Sequence, residues 1–346
     1  MVDDIPRLRR ILASLEPEEN AMKLSRRQFL QLAAGAAALP VVSRVAWAQT
    51  YPTRPVRLLV AAAPGSAPDI LARLMGQWLS ERIGQPFVID NRPGAGGNIG
   101  TEAVVKAAPD GYTLLLVSTA NTINAALFDR LNFNFIRDIA PVAGISRQSL
   151  VMVVDPSFPA KTVPEFIAYA KTNPGKISMA SAGNGSSPHM AGELFKMMAG
   201  IDMVHVPYRG GASALTDLLG GQVQMMFGSM AASTEYIRSG KLRALAVTTS
   251  KRLGVLPSIP TVGEFVPGYE ATGFFGAGAP KNTPAAIIEK LNKEFNAGLA
   301  DPKIKARLAD LDGTELPGSP ADFGKLIAAE TEKWAKVVKF SGAKVD

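Results

Sequence analysis

The residues that could carry out chemistry in this sequence are few. The sequence has no cysteine, which excludes thiol nucleophiles, zinc-thiolate sites and disulfides. Its two histidines, His189 and His205, lack the spacing of metal ligands. Ser186 and His189 lie together at one helix start, which is not the geometry of a catalytic triad, and no G-x-S-x-G elbow is present. We therefore expect no catalytic residue, no metal ion and no cofactor, in a protein that is not an enzyme.

A glycine-rich stretch, "NRPGAGGNIGTE" over 91–102, invites comparison with dinucleotide-binding loops. Those loops need G-x-G-x-x-G after the first strand of a βαβ unit, and an acidic residue about 20 positions later. Here Gly94 and Gly96 are followed by Ile99 at the third glycine position, and the next apolar run carries no acidic residue. We interpret the stretch as a tight turn in which glycines take positive φ and let helix and strand pack closely.

The turn "AAAPGSAPDILAR" over 61–73 offers a different kind of site. Ser66 and Asp69 form an S-x-x-D capping pattern, and Pro68 lies in the first turn of the helix that follows. Gly65 and the small alanines before it should leave backbone N–H groups accessible. A helix N-terminus with open amides binds carboxylates or phosphates.

A second turn, "ASAGNGSSPHMAGELF" over 180–195, repeats this arrangement. Gly183 and Gly185 flank Asn184, and Ser186 stands just before the helix. Each turn taken alone could be an ordinary helix cap. Two of them, both at strand-to-helix turns where open α/β sheets collect their ligands, favour a binding site for an anion.

These turns belong to a regular α/β pattern, because short apolar runs alternate with longer segments of helical periodicity after residue 51. The pattern predicts two lobes, each a mostly parallel sheet flanked by helices, with a ligand cleft between them. We expect lobe 1 to comprise 49–145 and 273–346, and lobe 2 to comprise 146–272. Three final helices without strands of their own should cover lobe 1. Short crossings between lobes make a hinge that suits closure around a ligand.

The first part of the chain, 1–48, resembles an export signal. Arg26 and Arg27 precede a small-residue apolar stretch, 30–42, and an A-x-A cleavage pattern ends at Ala48. The arginine pair is typical of twin-arginine signals, and cleavage near Ala48 would place the mature chain outside the cytoplasmic membrane. The alternatives are an ordinary N-terminal amphipathic helix for this segment, and Met22 rather than Met1 as the true start.

The charge pattern argues against nucleic acid as a partner. The net charge of +7 is spread along the chain, with no run of five basic residues and no interleaved aromatic side chains. A mildly positive field can still favour anionic ligands.

Nearly the whole mature chain resembles the Bug-type receptors, the extracytoplasmic solute-binding proteins of tripartite tricarboxylate transporters. The resemblance rests on "VIDNRPGAGGNIGTEAVVKAAPDGYTLL", followed in order by "SAGNGSSPHMAGELF", "HVPYRGGASALTDLLGGQVQMMF", "SGKLRALAVTT" and "LPSIPTVGE". It implies a type II-like, two-lobe periplasmic binding fold that closes on a small organic acid. The acid would be a mono- or dicarboxylate, and aromatic acids are included. The resemblance also implies that the protein delivers this acid to membrane subunits of the transporter. We expect a periplasmic monomer that binds no nucleic acid.

In the family, backbone groups and ordered waters between two strand-to-helix loops hold a carboxylate. The ligand contacts that the resemblance implies are Ala62, Gly65, Ser66, Ala67, Asp69, Thr119, Asn124, Ser181, Ala182, Gly183, Asn184, Ser186, Gly228 and Ser229.

This sequence departs from the family at two places. Ala61, Ala62 and Ala63 replace bulkier residues, which indicates a roomier or differently shaped pocket. Gly228 stands where many members carry Asp, a partner for an amino group, and its presence argues against amino-acid ligands. Two other functions stay open: an exported α/β hydrolase that uses Ser186, and a sensor subunit that presents bound ligand to a signalling protein.

Overall fold

The structure is a computed structural model that describes residues 51–311 and 313–344. The expected export signal over 1–48 lies outside these residues. No helix in the described ranges is both long enough and apolar enough to cross a membrane. The described part is an α/β structure built on two sheets, one for each lobe.

The sheet of lobe 1 has six strands. They are β1 (Val56–Val60), β2 (Phe87–Asn91), β3 (Thr113–Ser118), β4 (Ile139–Gln148), β10 (Gly273–Pro280) and β11 (Gly313–Glu315). Their spatial order is β11-β4-β10-β3-β1-β2. The sheet of lobe 2 has five strands. They are β5 (Leu150–Val154), β6 (Ser178–Ser181), β7 (Val204–Pro207), β8 (Met225–Ser229) and β9 (Arg243–Val247), in the order β7-β6-β8-β5-β9.

The two-lobe α/β fold is confirmed, but the sheets are mixed rather than mostly parallel. Strand β10 runs antiparallel to β3 and β4, and β5 runs antiparallel to β8 and β9. The reason is the path of the chain. Both β5 and β10 enter their sheet from the crossing between lobes, at the edge where the neighbouring strands end. A strand that starts where its neighbours end must run against them.

The helices connect these strands and cover both sheets. Lobe 1 contains α1 (Ala67–Ile83), α2 (Asn98–Val105), α3 (Thr119–Leu127) and α4 (Phe135–Asp138). Lobe 2 contains α5 (Val163–Thr172), α6 (Ser187–Ala199), α7 (Gly211–Leu219) and α8 (Met230–Arg238). The chain continues through α9 (Ala285–Ala300), α10 (Pro302–Asp310) and α11 (Pro320–Ser341). Two 3-10 turns, Ala95–Gly97 and Val262–Glu264, complete the elements.

The last three helices were expected to cover lobe 1, and α9 does pack on β4. Helix α11 does more, because it packs against both α3 of lobe 1 and α6 of lobe 2. Its Trp334 is 1% exposed and shares one apolar core with Leu127 of α3 and Phe195 of α6. The C-terminal helix therefore ties the two lobes together beside the crossing.

The glycine-rich stretch forms the tight turn that the sequence indicates. Gly97 has a φ of +94°, in the left-handed region that favours glycine. A Cβ on Gly100 would lie 2.9 Å from both the Cβ of Ala61 and the carbonyl oxygen of Arg92. The glycines thus let α2 approach the end of β1, as their interpretation as a packing device requires.

Candidate functional site

The carboxyl ends of the ligand-facing strands of both lobes lie at the crossing between lobes. In lobe 1, Ser118 at the end of β3 pairs with Phe275, near the start of β10. In lobe 2, Ser229 at the end of β8 pairs with Leu150, the first residue of β5. Because β4 ends at Gln148, only one residue separates it from β5. The strand-to-helix turns of the two lobes are thereby gathered around this crossing, the place where open α/β sheets bind ligands.

The turn after β1 differs from the capping pattern expected of it. The Ser66 hydroxyl donates to the carbonyl oxygen of Ala63 at 2.6 Å and caps no N–H of α1, so that prediction was wrong. The Asp69 carboxylate instead turns back, accepting from Gly65 N at 2.8 Å and from Arg73 Nε at 3.0 Å. The Gly65 N–H is therefore engaged within the protein rather than open. The hydrogen bond from Arg73 lowers the pKa of Asp69 below its ordinary value, because its effect exceeds that of burial, which raises the pKa.

Ala62 and Ala67 are the residues of this turn that remain suited to a ligand. Ala67 begins α1, and its N–H has no acceptor among the described residues. The carbonyl of Ala62 is held by Asn91, whose Nδ2 donates to it at 3.1 Å. One carboxylate oxygen of Asp69 is buried without a hydrogen-bond partner in the described structure. The turn thus presents a helix N-terminus whose first turn already carries the buried Asp69 carboxylate, and the N–H of Ala67 is its free donor.

The turn after β3 uses its polar side chains internally. Phe274 N donates to the Thr119 hydroxyl at 2.7 Å, across to β10. Asn124 Nδ2 donates to the Gly96 carbonyl at 2.9 Å and to Asn98 Oδ1 at 3.0 Å. Thr119 and Asn124 are both buried. Both residues therefore lie at the edge where we expected them, while their side chains bind protein and fix α3 to the glycine-rich turn.

The turn after β6 is bonded to the side chains of Ser181, Ser186 and His189. Ser186 caps α6, as expected: its hydroxyl accepts from His189 N at 3.4 Å and donates to the Gly183 carbonyl at 2.7 Å. The N–H groups of the two glycines, however, are not open. Gly183 N donates to Ser181 Oγ, and Gly185 N donates to His189 Nδ1, each at 3.1 Å.

Three residues next to those glycines or just after them behave differently. The N–H groups of Ala182, Asn184 and Ser187 have no acceptor in the part of the chain that the structure describes. From 182 to 187, three amides are thus free, while those of Gly183, Gly185 and Ser186 are bonded within the protein. A row of free N–H groups at a helix start is a receptor for a carboxylate.

The turn after β8 brings Gly228 and Ser229 to the same edge. Gly228 is buried, and a Cβ there would lie 2.6 Å from Ser233 Oγ, so this position has no room for a side chain as packed. Ser229 is exposed, and its hydroxyl caps α8 by accepting from Ala232 N at 3.3 Å. The start of α8 thus stands beside the turn after β6.

The two lobes touch at the turn after β6. A Cβ built on Gly185 would lie 2.4 Å from Cδ2 of Leu127, at the C-terminal end of α3. Gly185 belongs to the turn after β6 in lobe 2, and Leu127 belongs to α3, the helix after β3 in lobe 1. The absence of a side chain at Gly185 lets the lobes meet at this distance.

The chemistry of the site is that of peptide groups rather than charged side chains. The turn residues 61–68, 118–124, 181–187 and 228–230 contain no lysine or arginine. Arg209 is exposed, and Tyr208 donates to Asp217 at 2.7 Å. Among the described residues, no cluster of three or more acidic or histidine side chains could hold a metal ion. Such an arrangement can bind an anion through helix N-termini.

Sequence reasoning missed the side chains that support these turns from behind. Asn91, His189 and His205 were not among the candidate residues, although each bonds or supports a ligand turn. Their only signal was position: Asn91 ends an adjacent strand, and His189 is the third residue of α6. Asn91 bonds to a backbone carbonyl 29 residues away and His205 to a side chain of another strand, whereas His189 bonds to an amide four residues before it.

Comparisons with known proteins agree with this architecture. The family described as "Tripartite tricarboxylate transporter family receptor" matches residues 71–342. Protein BugT of Bordetella pertussis is 37% identical over 301 residues, 86% of this chain and 92% of BugT. An R. palustris protein solved with adipate is 37% identical, covers 85% of this chain and 99% of its own, and has a TM-score of 0.73. MatC from Rhodopseudomonas palustris, solved with bound malate, is 31% identical. The match covers 83% of this chain and 100% of MatC, with a TM-score of 0.70.

Proposed function

Because this chain belongs to the tripartite tricarboxylate transporter receptor family, we propose that it captures a small organic acid between its lobes. The ligand is a mono- or dicarboxylate, with aromatic acids included, and amino acids are disfavoured by Gly228. The chain delivers its ligand in the periplasm, as a monomer, to the membrane subunits of a tripartite transporter. The observation that supports this most directly is the gathering of cation-free helix N-termini at the crossing between lobes.

Capture works through closure of the lobes, 49–145 with 273–346 against 146–272. The segments around Ser149 and Ala271 are the hinges, since they join the two sheets. Closure removes water from the cleft, and N–H to carboxylate bonds strengthen as the local dielectric falls. Ala62, Ala67, Ala182, Asn184 and Ser187 supply the backbone groups. Neighbouring positions contribute shape and water-mediated contacts.

The hydrolase alternative needs a base within reach of the Ser186 hydroxyl. That hydroxyl donates to the Gly183 carbonyl, while the Nδ1 atom of His189 is occupied by Gly185 N. Neither group faces the other as nucleophile and base, so we favour a receptor. Delivery to a signalling protein instead of a transporter would use the same closure. Loss of acid uptake on gene deletion is the result expected for transport.

The test is thermal unfolding of the purified protein against dicarboxylates, monocarboxylates, aromatic acids and amino acids. Ligand at 100 times its Kd adds about 2.7 kcal/mol to the free energy of unfolding, which raises the Tm by a few degrees. We expect a shift with one class of acid and recovery of that acid unchanged. The matched control is Lys241→Ala, which removes an exposed charge outside the ligand turns. No shift with any acid, or consumption of the ligand, would refute the receptor.

A further inference from the structure

A pair of stacked histidines lies behind the ligand turn of lobe 2. The rings of His189 on α6 and His205 on β7 are 3.7 Å apart between centroids, with 11° between their planes. His189 is 3% exposed. Neither ring belongs to the proposed set of ligand contacts, and a buried imidazole stacked on a half-buried one calls for a reason.

Each ring is bonded, directly or through one hydroxyl, to the backbone of the turn. Gly185 N donates to His189 Nδ1 at 3.1 Å. His205 Nε2 lies 2.6 Å from Ser181 Oγ, the atom that accepts from Gly183 N at 3.1 Å. The pair therefore reaches both inward-facing amides of the turn.

The Gly185 bond fixes the protonation of His189. An N–H group can donate only to an unprotonated ring nitrogen, so the proton of a neutral His189 must lie on Nε2. That atom faces Glu193 Oε1 at 3.8 Å, beyond hydrogen-bond distance. A second proton on Nδ1 would set two donors against each other and expel the Gly185 amide.

The charged groups around the rings also bear on their protonation. Lys196 on α6 and the second ring oppose protonation, while Glu193 on α6 is the nearby carboxyl and Asp202 lies just ahead of β7. Burial, the His205 ring and Lys196 lower the pKa of His189 to about 3. Burial and Lys196 lower the pKa of His205 to about 4. Both rings are neutral throughout the physiological range.

We propose that the stacked, neutral His189–His205 pair is a positioning device that holds the Gly183 and Gly185 amides inward and so presents the amides of Ala182, Asn184 and Ser187 to the ligand. This inference rests on the proposed receptor function for its effect on binding. The positioning itself exists without ligand, because all of its bonds lie within lobe 2. His189 acts through the turn and does not touch the ligand.

Two variants of the full-length protein test the proposal. His189→Leu fills the position with a branched, apolar side chain that has no acceptor for the Gly185 amide. His189→Asn retains an oxygen that can reach that amide. We expect His189→Leu to weaken acid binding roughly ten- to hundredfold, the effect of leaving one buried donor without an acceptor, and His189→Asn to restore most of the affinity.

Two ligand-free measurements separate this proposal from the receptor function. NMR of the imidazole nitrogens should show His189 as the neutral Nε2–H tautomer from pH 5 to pH 8. Hydrogen exchange should show the Gly185 amide protected in the wild type and in His189→Asn, and unprotected in His189→Leu. An Nδ1–H tautomer, or equal Gly185 protection in all three proteins, would overturn the proposal even if the acid binds. A wild type that binds no acid, with these signatures intact, would refute only the receptor function.

Discussion

Replacing Gly185 by alanine should push apart the two lobes where they touch. Gly185 has a φ of +72°, and a left-handed conformation costs an alanine about 1–2 kcal/mol. The new Cβ would also lie 2.4 Å from Leu127 Cδ2, whereas carbon atoms pack at roughly 3.5–4.0 Å. Overpacking of this kind costs typically 1–3 kcal/mol. We therefore expect Gly185→Ala to lower the free energy of unfolding by about 2–5 kcal/mol.

Gly200→Ala is the matched control. Gly200 has a φ of +63°, but a Cβ there would meet nothing within 4 Å. It should therefore lose only the conformational part, about 1–2 kcal/mol. Urea unfolding of both variants, and of each combined with Leu127→Ala, separates the two costs. Leu127→Ala should recover part of the loss in the Gly185→Ala background and none in the Gly200→Ala background.

Overpacking at position 185 would be refuted by equal losses of stability in Gly185→Ala and Gly200→Ala. It would also be refuted by the absence of coupling between Leu127→Ala and Gly185→Ala. Acid binding gives a second readout. If contact at this point accompanies closure, Gly185→Ala should weaken binding by about 5- to 150-fold, and Gly200→Ala should leave binding unchanged.

Acid should destabilise this protein from pH 6.5 downward, because unfolded histidines bind protons there while His189 and His205, with pKa values of about 3 and about 4, resist them. Stability should be full above pH 6.5 and fall below it. By pH 4 the buried His189 ring should account for about 3 kcal/mol of the loss and the partly exposed His205 ring for less, so His189→Asn should flatten the slope in urea titrations at several pH values. Gly100→Ala should cost about 1–3 kcal/mol, since its Cβ would overlap Ala61. The control Gly211→Ala, in open space at the start of α7, should be neutral or slightly stabilising, and an equal loss in both variants would contradict the packing argument.

The elements with clear hydrophobic periodicity were predictable from the sequence. The apolar run "VRLLVAA" at 56–62 predicts a buried strand, and "PDILARLMGQWLSERIG" at 68–84 predicts a helix. They correspond to β1 at Val56–Val60 and α1 at Ala67–Ile83. Strands β4 and β10, on either side of the crossing, were not recognised. Strand β10 reads "GFFGAGAP", a composition typical of turns, yet every residue in it is buried. Its glycines make room for packing: a Cβ on Gly276 would lie 2.1 Å from the Phe323 ring of α11.

This omission explains the error in sheet type. Without β4 and β10, the first lobe contains only β1, β2 and β3, which pair in parallel. Gly276 of β10 is small because it packs against Phe323 of α11, almost fifty residues further along the chain. A local sequence pattern does not show that contact. Tertiary packing, rather than strand propensity, placed this strand.

The location of the site was more predictable than its bonding. Helix starts after apolar runs identified two of the four turns, those after β1 and β6, because capping residues and glycines are local signals. The turns after β3 and β8 were expected only from the family resemblance. The direction of each N–H group was not predictable. Gly65 was expected to be open, yet its amide is bonded to Asp69, and the Gly183 amide is bonded to Ser181. Which amides remain free depends on side chains that fold back onto the turn.

This arrangement makes the supporting side chains the determinants of affinity in the proposed receptor. A site with lysine or arginine could hold an acid through a flexible charge, but the ligand turns here have none. Peptide N–H groups are fixed in direction, and their value to an anion depends on pre-organisation. A cationic His189 would add attraction for the ligand, yet it would release the Gly185 amide and disorder the turn. A neutral ring that organises several amides is the more effective use of this position, so substitutions behind this turn should matter more than those at Ser229, the exposed serine of the turn after β8.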